Sequence, residues 1–258
     1  MKAVVLAAGS GSRLGSQRPK CMTALDGRPL LHWQLETLRA AGIEQIAVVV
    51  GHRADQVDAL GAETILNERY RSTNMVESLF CARDWIERDA ADTLVAYGDL
   101  VFDETVLAAA LSAAPADVAT LVGRQWLRLW SARSPNPLDD AETLRLEDGL
   151  IAEIGRRPAD VSAIDGQYVG VTVFSPAGIA AAGELRRRSR EQGAWSERMQ
   201  MTELLQALVD DGVPVEAIEV EHGWLELDTP ADLTLYRQMV GGEALPGWIR
   251  WPPTGGAV

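Results

Sequence analysis

Lysine is nearly absent from this chain. Lys2 and Lys20 are the only lysines among its 24 basic residues, so a reaction step that needs a lysine has two candidates. The basic residues are also outnumbered by 37 acidic ones, which gives a net charge of -13. A general nucleic-acid binder needs a basic face that displaces counterions, and a polybasic membrane anchor needs the same sign of charge. We therefore expect no nucleic-acid partner and no membrane partner.

Cysteines and long apolar runs are scarce as well. Cys21 and Cys81 cannot form a disulfide framework or a cysteine metal cluster by themselves. No apolar run reaches the roughly 18 residues that a membrane-spanning helix needs. The segment from Gly9 to Lys20 is polar and glycine-rich, unlike a signal-peptide cleavage region. These absences lead us to expect a soluble, cytoplasmic protein.

Strand and helix patterns alternate along the first half of the chain. Short apolar runs, such as residues 3–7 and 46–50, are typical of strands buried on both faces of a parallel sheet. Further strands are predicted at 63–66, 93–97, 118–122, 167–174 and 215–220, with a hairpin about Asp148-Gly149. Helices are predicted at 30–41, 55–60, 75–88, 103–113, 176–190, 201–210 and 230–240. This order predicts an α/β fold with a doubly wound, mostly parallel sheet and a smaller lobe on the substrate side.

A glycine-rich loop follows the first predicted strand. It reads Leu6-Ala7-Ala8-Gly9-Ser10-Gly11-Ser12-Arg13-Leu14 and continues to Pro19-Lys20. Glycines allow backbone N–H groups to approach phosphate oxygens, and Arg13 and Lys20 add positive charge. Leu14 replaces the third glycine of a dinucleotide fingerprint, and Pro19 replaces the glycine before the lysine of a Walker loop. The loop therefore predicts a phosphate site of another kind.

This loop resembles the signature of the nucleotidyltransferase superfamily that includes the sugar-1-phosphate nucleotidyltransferases. The likeness extends to Leu25 and Gly27-Arg28-Pro29-Leu30. The resemblance implies a Rossmann-like fold and nucleotide contacts from Leu6, Ala7, Ala8, Gly9, Ser10, Gly11 and Ser12. It also implies that Lys20 and Arg13 neutralise the triphosphate as catalytic residues, because phosphoryl-type transfer depends on positioning and charge stabilisation.

Two aspartates stand where a metal site would form. Asp99 follows Gly98 at the end of a predicted strand, and Asp228 precedes a predicted helix in Trp224-Leu225-Glu226-Leu227-Asp228-Thr229. Ligands of open α/β sheets bind outside the carboxyl ends of strands, and Mg²⁺ prefers hard oxygen ligands. Both positions match metal-binding aspartates of the superfamily. Glu226 is either a further ligand or a neighbour of the ligands, while a helix cap remains the alternative for Asp228.

The segment from Asn67 to Leu79 narrows the resemblance. It is similar to the cytidylyltransferase branch that acts on phosphocholine and small phosphonates. Asn74 and Ser78 are four residues apart, so they share one face of a helix start and can read a base edge. The alternative is that Ser72, Thr73 or Asn74 caps the helix and that Ser78 is simply one of its helical residues. The resemblance implies that the nucleotide is CTP.

The acceptor region resembles the same branch more loosely. Trp126 and Trp130 are four residues apart and form either an aromatic enclosure for a quaternary ammonium or ordinary core packing. Arg128 and Arg133 are candidates for gripping a phosphonate or carboxylate, and contacts around Glu153 or Asp165 would instead favour a cationic amine. Tyr168 and Gly170 resemble residues of the substrate-side strand. The acceptor is thus expected to be a small phosphonate or phosphate monoester.

These observations predict a Mg²⁺-dependent cytidylyltransferase that transfers CMP from CTP and releases pyrophosphate. One domain is expected over residues 1–240, with a nucleotide-binding half at 1–125, an acceptor-binding half at 126–240 and an irregular tail at 241–258. The alternatives are a sugar-1-phosphate nucleotidyltransferase that uses UTP, dTTP or GTP, and a non-catalytic regulatory subunit. Dimers are common in the superfamily, so a homodimer is one expected form.

Overall fold

The fold is taken from a computed structural model that describes residues 1–11, 14, 18–113 and 116–254. Two residues of the glycine-rich loop to which we assigned roles, Ser12 and Arg13, lie outside the described residues. Among those described, no helix combines the length and the apolar character needed to cross a bilayer.

The described residues form thirteen strands and eight helices. The strands are β1 (Lys2–Ala7), β2 (Ala24–Leu25), β3 (Arg28–Pro29), β4 (Ile46–Val50), β5 (Glu63–Leu66), β6 (Thr93–Tyr97), β7 (Leu100–Phe102), β8 (Val118–Gly123), β9 (Leu144–Glu147), β10 (Leu150–Ile154), β11 (Gln167–Phe174), β12 (Val215–Val220) and β13 (Trp224–Glu226). The helices are α1 (Leu30–Ala40), α2 (Met75–Cys81), α3 (Arg83–Ile86), α4 (Glu104–Ser112), α5 (Trp126–Arg133), α6 (Pro176–Glu191), α7 (Met201–Asp210) and α8 (Pro230–Val240).

Nine of these strands form one large sheet in the order β5-β4-β1-β6-β11-β8-β12-β10-β9. The strands β5, β4, β1 and β6 run parallel, and β12 runs parallel to β8. Strand β11 is antiparallel to both of its neighbours, and β9 and β10 form an antiparallel hairpin at the far edge. The α/β prediction is confirmed, with the antiparallel pairs concentrated in the second half of the chain.

Helices cover both faces of the sheet, which explains the uninterrupted apolar strands. Alternate residues of β1 enter opposite cores, with Val5 on one side and Val4 on the other, and neither is exposed. Helices α1, α4, α5 and α8 pack in the first core, and α2, α3, α6 and α7 in the second. A strand buried on both faces has no polar positions to alternate with apolar ones.

Several local predictions are confirmed by specific contacts. The Asp103 carboxylate accepts the Thr105 N–H at 3.0 Å and caps α4, as predicted. Asp148 and Gly149 both have positive φ, at 50° and 80°, as a two-residue hairpin turn between β9 and β10 requires.

Other boundaries differ from the predictions. The helix expected over residues 75–88 is interrupted at Ala82, whose N–H bonds to the carbonyl of Leu79, only three residues back, and separates α2 from α3. The helix expected at 55–60 is a 3₁₀ turn over Ala54–Gln56 that gives way to extended backbone at Val57.

The segment after α8 has no helix or strand over residues 241–254, as expected, yet it is anchored to the core. Trp248 is only 1% exposed, and its indole N–H donates to the Trp224 carbonyl at 2.8 Å. The Trp251 ring packs edge-on against Trp33 with centroids 4.8 Å apart. This segment therefore supports β13, the strand that carries Glu226.

Candidate active site

The glycine-rich loop and Asp99 meet at the carboxyl ends of two adjacent strands. Strand β1 leads into the loop and β6 leads into Gly98-Asp99, and Leu6 of β1 is in register with Tyr97 of β6. The Gly98 N–H donates to the Leu6 carbonyl at 2.9 Å. A Cβ at position 98 would lie 2.8 Å from the Cβ of Ala7, so the close approach of the two chains requires glycine.

Lys20 lies against this loop. It stands in a short 3₁₀ turn over Lys20–Met22, and its Cβ approaches Gly11, which has φ +57°. A side chain at position 11 would meet the Cβ of Lys20 at 2.8 Å. Because Gly11 has no side chain, the Lys20 side chain has room to pass next to the loop and reach Asp99.

A first cavity, which we call the loop cavity, opens beside these residues. Most of the residues predicted to bind the nucleotide line it, together with five that were not predicted, namely Cys21, Tyr70, Thr73, Met75 and Tyr97. The described residues that line it are Leu6, Ala7, Ala8, Gly9, Gly11, Lys20, Cys21, Tyr70, Thr73, Asn74, Met75, Ser78, Tyr97, Gly98, Asp99 and Asp228. Ser10 is exposed and is not among them.

Asn74 and Ser78 combine a structural position with a place on the loop cavity. Asn74 is the N-cap of α2, and its Oδ1 accepts the Met75 N–H at 3.0 Å. The Ser78 hydroxyl accepts from the amide nitrogen of Asn67 at 3.0 Å and donates to the Asn74 carbonyl at 3.4 Å. The cap proposed as an alternative is therefore present, and it holds Asn74 at the cavity wall.

Three carboxylates converge next to Lys20. One oxygen from each of Asp99, Glu226 and Asp228 can be chosen so that all three lie within 4.8 Å of one another. Two interactions bring the segments together, since β13 pairs with β7 and the Leu227 N–H donates to the Asp99 carbonyl at 3.0 Å. The cap of α8 is Thr229 rather than Asp228.

Lys20 places a positive charge next to two carboxylates of this cluster. Its Nζ bonds to Asp228 Oδ1 at 2.5 Å and to Asp99 Oδ2. Burial by itself lowers the pKa of Lys20, but Asp99 and Asp228 outweigh it, so the net pKa lies above the ordinary value. Burial, reinforced by Asp228 and Asp99, raises the pKa of Glu226 to about 8.

The carboxylate cluster fits a hard divalent cation. Its donors are all carboxylate oxygens, the ligands that Mg²⁺ prefers. Asp99 Oδ1 is also buried with no hydrogen-bond partner among the described residues. A buried carboxylate oxygen without a partner is costly, and a bound cation would satisfy it.

A second cavity, which we call the lobe cavity, adjoins the first. The two cavities share Met75, Tyr97, Asp99 and Asp228. The described residues that line the lobe cavity are Met75, Tyr97, Asp99, Trp130, Asp140, Glu142, Gln167, Tyr168, Gly170, Gln200, Thr202, Glu226 and Asp228. Five of these are carboxylates and none is lysine or arginine, so the described lining is strongly acidic.

The residues suggested for the acceptor separate into two groups. Trp130, Tyr168, Gly170 and Glu226 line the lobe cavity. Three other candidates line neither cavity, namely Trp126, Arg128 and Arg133.

Each of those three candidates has a different neighbour. Trp126 is 3% exposed and packs edge-on against Trp130, the outcome expected from core packing. The Arg128 guanidinium lies 5.8 Å from the centre of the Trp248 ring. Arg133 is buried, bonds to Asp232 at 3.1 Å and contacts Asp228 Oδ2 at 3.5 Å, so it orients a carboxylate of the cluster.

The acidic residues suggested for an amine also lie elsewhere. Glu153 pairs with Arg156 at 3.2 Å, and Asp165 accepts the Leu146 N–H at 2.9 Å. Asp140 and Glu142 line the lobe cavity instead. The folding of the lobe brings these two residues to the cavity.

Comparisons with known proteins agree with this architecture. Residues 3–200 match the model of the MobA-like NTP transferase domain. The CTP:phosphoglutamine cytidylyltransferase of Campylobacter jejuni subsp. jejuni is 35% identical over 248 residues, which cover 90% of this chain and 98% of that protein. The CMP-5′-(3-aminopropyl)phosphonate synthase of Streptomyces rubellomurinus is 29% identical over 244 residues, which cover 90% of this chain but only 37% of that protein.

A solved structure shows the same fold. The inositol-1-phosphate CTP transferase from T. maritima superposes with a TM-score of 0.69 at 23% identity, covering 92% of this chain and 96% of its own. The extent of the domain match and the identity to a full-length relative leave no ambiguity about the family. This chain is a nucleotidyltransferase that belongs to the family of MobA-like NTP transferase domains.

Proposed function

We propose that this protein is a Mg²⁺-dependent cytidylyltransferase that transfers CMP from CTP to a small phosphonate or phosphate monoester. The observation that carries the proposal is the junction of the two cavities. The loop cavity and the lobe cavity meet at Asp99 and Asp228, with Lys20 at the same point. Two substrates that occupy neighbouring cavities can place their reacting atoms together there.

In the proposed reaction, an oxygen of the acceptor phosphoryl group attacks the α-phosphorus of CTP. The bond from that phosphorus to the oxygen bridging it to the β-phosphate breaks, and pyrophosphate leaves with the electron pair. Lys20 donates to the non-bridging oxygens of the α-phosphate and stabilises the charge that develops there. Asp99 and Asp228 would hold Mg²⁺, which when bound supplies positive charge to the reacting phosphate.

The loop cavity supports the nucleotide assignment. Backbone amides near Ala8, Gly9 and Gly11 can face the triphosphate, and Asn74 and Ser78 line the same cavity. Neutral amide and hydroxyl groups suit a base edge that carries both donors and acceptors, as cytosine does. Two of the similar proteins are named for CTP or CMP chemistry. We infer the same base here.

The lobe cavity supports a particular kind of acceptor. Asp140 and Glu142 line this cavity in addition to the carboxylate cluster, and Arg133 lies 3.7 Å from Asp140. Burial together with Glu203 and Asp140 raises the pKa of Glu142. An acidic cavity lining repels an acceptor whose substituent is anionic and favours an acceptor whose substituent is cationic. We infer that the acceptor carries an ammonium group in addition to its phosphoryl group. The aminopropylphosphonate named for the Streptomyces relative has such an amino group.

A pyrophosphate-release screen tests the proposal directly. CTP, UTP, dTTP and GTP would each be combined with Mg²⁺ and with 2-aminoethylphosphonate, phosphocholine, ethylphosphonate or glucose 1-phosphate. We expect turnover with CTP and a cationic acceptor, and slower turnover with the uncharged-tail control ethylphosphonate. Turnover only with a sugar phosphate would replace the proposal by a sugar-1-phosphate nucleotidyltransferase, and binding of nucleotide without turnover would favour a regulatory subunit.

A further inference from the structure

One stretch of chain touches both cavities. Residues 195–202, which we call the bridging segment, run from the end of α6 into α7. At one end, the carbonyl of Glu197 accepts the Asn74 N–H at 3.1 Å, and the carbonyl of Arg198 accepts from the Asn74 side-chain nitrogen at 3.3 Å. At the other end, Gln200 and Thr202 line the lobe cavity. One short segment therefore contacts Asn74 at one end and lines the lobe cavity at the other.

A buried carboxylate fastens the start of the bridging segment to α2. Glu77 is 6% exposed and accepts from the Trp195 indole at 2.8 Å, from Arg186 at 2.6 and 3.0 Å, and from Arg190 at 3.2 Å. Burial raises the pKa of Glu77, but the bonds from Arg186 and Trp195 outweigh it and hold the net pKa below the ordinary value. A charged, fully bonded Glu77 fixes the segment against the helix that begins at Asn74.

Ion pairs of Glu197 also hold the bridging segment in place, on the side of the loop cavity. Its carboxylate pairs with Arg69 at 2.5 Å and with Arg190. Arg69 directly precedes Tyr70, which lines the loop cavity. Arg190 also bonds to Glu77, so the two carboxylates share one guanidinium. The position of the bridging segment is thus tied to both chain segments that carry Tyr70 and Asn74.

The far end of the bridging segment is equally constrained. Gln200 and Glu203 form a reciprocal cap of α7, with the Gln200 N–H donating to Glu203 at 2.6 Å. Thr202 is 4% exposed and, like Glu142, lines the lobe cavity; burial raises the pKa of Glu142, and Thr202 opposes that rise. A ligand that shifts Glu142 or Thr202 in the lobe cavity therefore acts on a rigid stretch whose other end holds Asn74.

We propose that Glu197 is a positioning residue through which occupancy of the lobe cavity changes the affinity of the loop cavity for its nucleotide. The inference rests on the proposed function, since it takes these cavities as the acceptor and nucleotide sites. Coupling between two sites is reciprocal, so the nucleotide must change the affinity for the acceptor by the same factor. Loss of the two side-chain ion pairs of Glu197 detaches the segment from Arg69 and Arg190 and uncouples the cavities, while the backbone bonds to Asn74 and the contacts of each cavity with its own ligand remain.

Binding measurements on two matched variants test this inference. Affinity for the α,β-methylene analogue of CTP would be measured by calorimetry with Mg²⁺, with and without saturating 2-aminoethylphosphonate, which avoids turnover. We expect the acceptor to tighten binding of the analogue by about five-fold or more in the unaltered protein. Glu197→Gln should reduce that factor to about one. Glu184→Gln, which removes a carboxylate of α6 paired with Arg187 at the surface, should leave it unchanged.

Several results would overturn the inference. A coupling factor near one in the unaltered protein would refute it, as would a Glu197→Gln variant that keeps the full factor. Arg69→Gln breaks the same ion pair from the other side and provides a second variant should Glu197→Gln fail to fold. Failure of the proposed function has a separate signature, namely no pyrophosphate release from CTP by the unaltered protein in the screen above.

Discussion

The two lysines of this chain allow one prediction to be worked out in detail. Lys20 contacts both aspartates at the junction of the cavities, whereas Lys2 is buried at the start of β1, where it bonds to the Ile86 carbonyl and Asp89. Replacing each by methionine keeps the length and the apolar stem of the side chain but removes the charge. Lys20→Met tests the proposed catalytic charge, and Lys2→Met serves as the matched control.

The expected loss of activity follows from the proposed role. Removing a preorganised group that stabilises developing negative charge typically lowers kcat by about 10²–10³, equivalent to about 2.7–4 kcal/mol. Lys20→Met should fall within that range under saturating CTP, Mg²⁺ and acceptor. Lys2→Met should retain kcat per folded molecule, because Lys2 lines neither the loop cavity nor the lobe cavity.

Stability provides an independent readout of the same substitution. The Lys20 side chain is 16% exposed, and its partners Asp99 and Asp228 are 19% and 6% exposed. Without the lysine, the clustered carboxylates repel one another, which we expect to cost about 2 kcal/mol. For a chain of this size, that loss corresponds to a decrease in Tm of about 4–8 °C.

Added Mg²⁺ distinguishes the effect of Lys20→Met on stability from its effect on catalysis. If the aspartates hold the cation, millimolar Mg²⁺ should restore much of the Tm of Lys20→Met, because the cation replaces the missing positive charge. It should not restore kcat, because the lysine acts on the α-phosphate. Steady-state pyrophosphate release and thermal unfolding, each with and without Mg²⁺, provide both measurements. A Lys20→Met enzyme with near-normal kcat would refute the proposed mechanism.

Three further predictions concern other parts of the molecule. Glu142→Gln should raise the KM for 2-aminoethylphosphonate about ten-fold in the pyrophosphate assay and leave the KM for ethylphosphonate unchanged. Glu153→Gln serves as the control variant. Equal effects on the KM of both acceptors would exclude a contact between Glu142 and the ammonium group. Trp248→Ala should lower the free energy of unfolding in urea by about 3–5 kcal/mol, and a loss below 1 kcal/mol would show that the C-terminal segment is dispensable. Glu77 has a folded pKa below its ordinary 4.5, so the stability it adds is present above pH 4.5 and is lost as the pH falls through the folded value. Urea unfolding of Glu77→Gln should therefore show lower stability at pH 7 and a shallower decline below pH 4.5, and an unchanged pH profile would contradict the role of its ion pairs.

The features that the sequence predicted correctly depend on residues close together in the chain. The buried strand before the glycine-rich loop, the cap at Asp103 and the turn at Asp148-Gly149 each have a local cause in backbone conformation or side-chain pairing. Asp99 was singled out at the end of a predicted strand and Asp228 by its resemblance to a superfamily segment before a helix, and the structure brings both to Lys20.

The lobe cavity could not be predicted in the same way. Glu142 precedes β9, Gln167 begins β11 and Thr202 stands in α7, and only the packing of these elements brings them together. Trp126 and Trp130 illustrate a different difficulty, because two aromatic residues at helical spacing have the same pattern in a ligand enclosure and in a core. The structure places Trp126 in the core and Trp130 at the margin of the cavity. Nothing in the sequence indicated the role of Glu77, since its partners come from α6 and the bridging segment.

The excess of acidic residues in this chain is also present at the candidate site. Asp99 and Asp228 line both cavities, but Asp140, Glu142 and Glu226 line only the lobe cavity, whereas the loop cavity offers backbone amides and Lys20. In the proposed function, this difference in charge would favour the triphosphate in the loop cavity and the cationic group of the acceptor in the lobe cavity. Lys20 stands at the boundary and is the one lysine near either cavity among the described residues. In the proposed mechanism, Lys20, held between Asp99 and Asp228, marks the point where the acceptor oxygen attacks the α-phosphate.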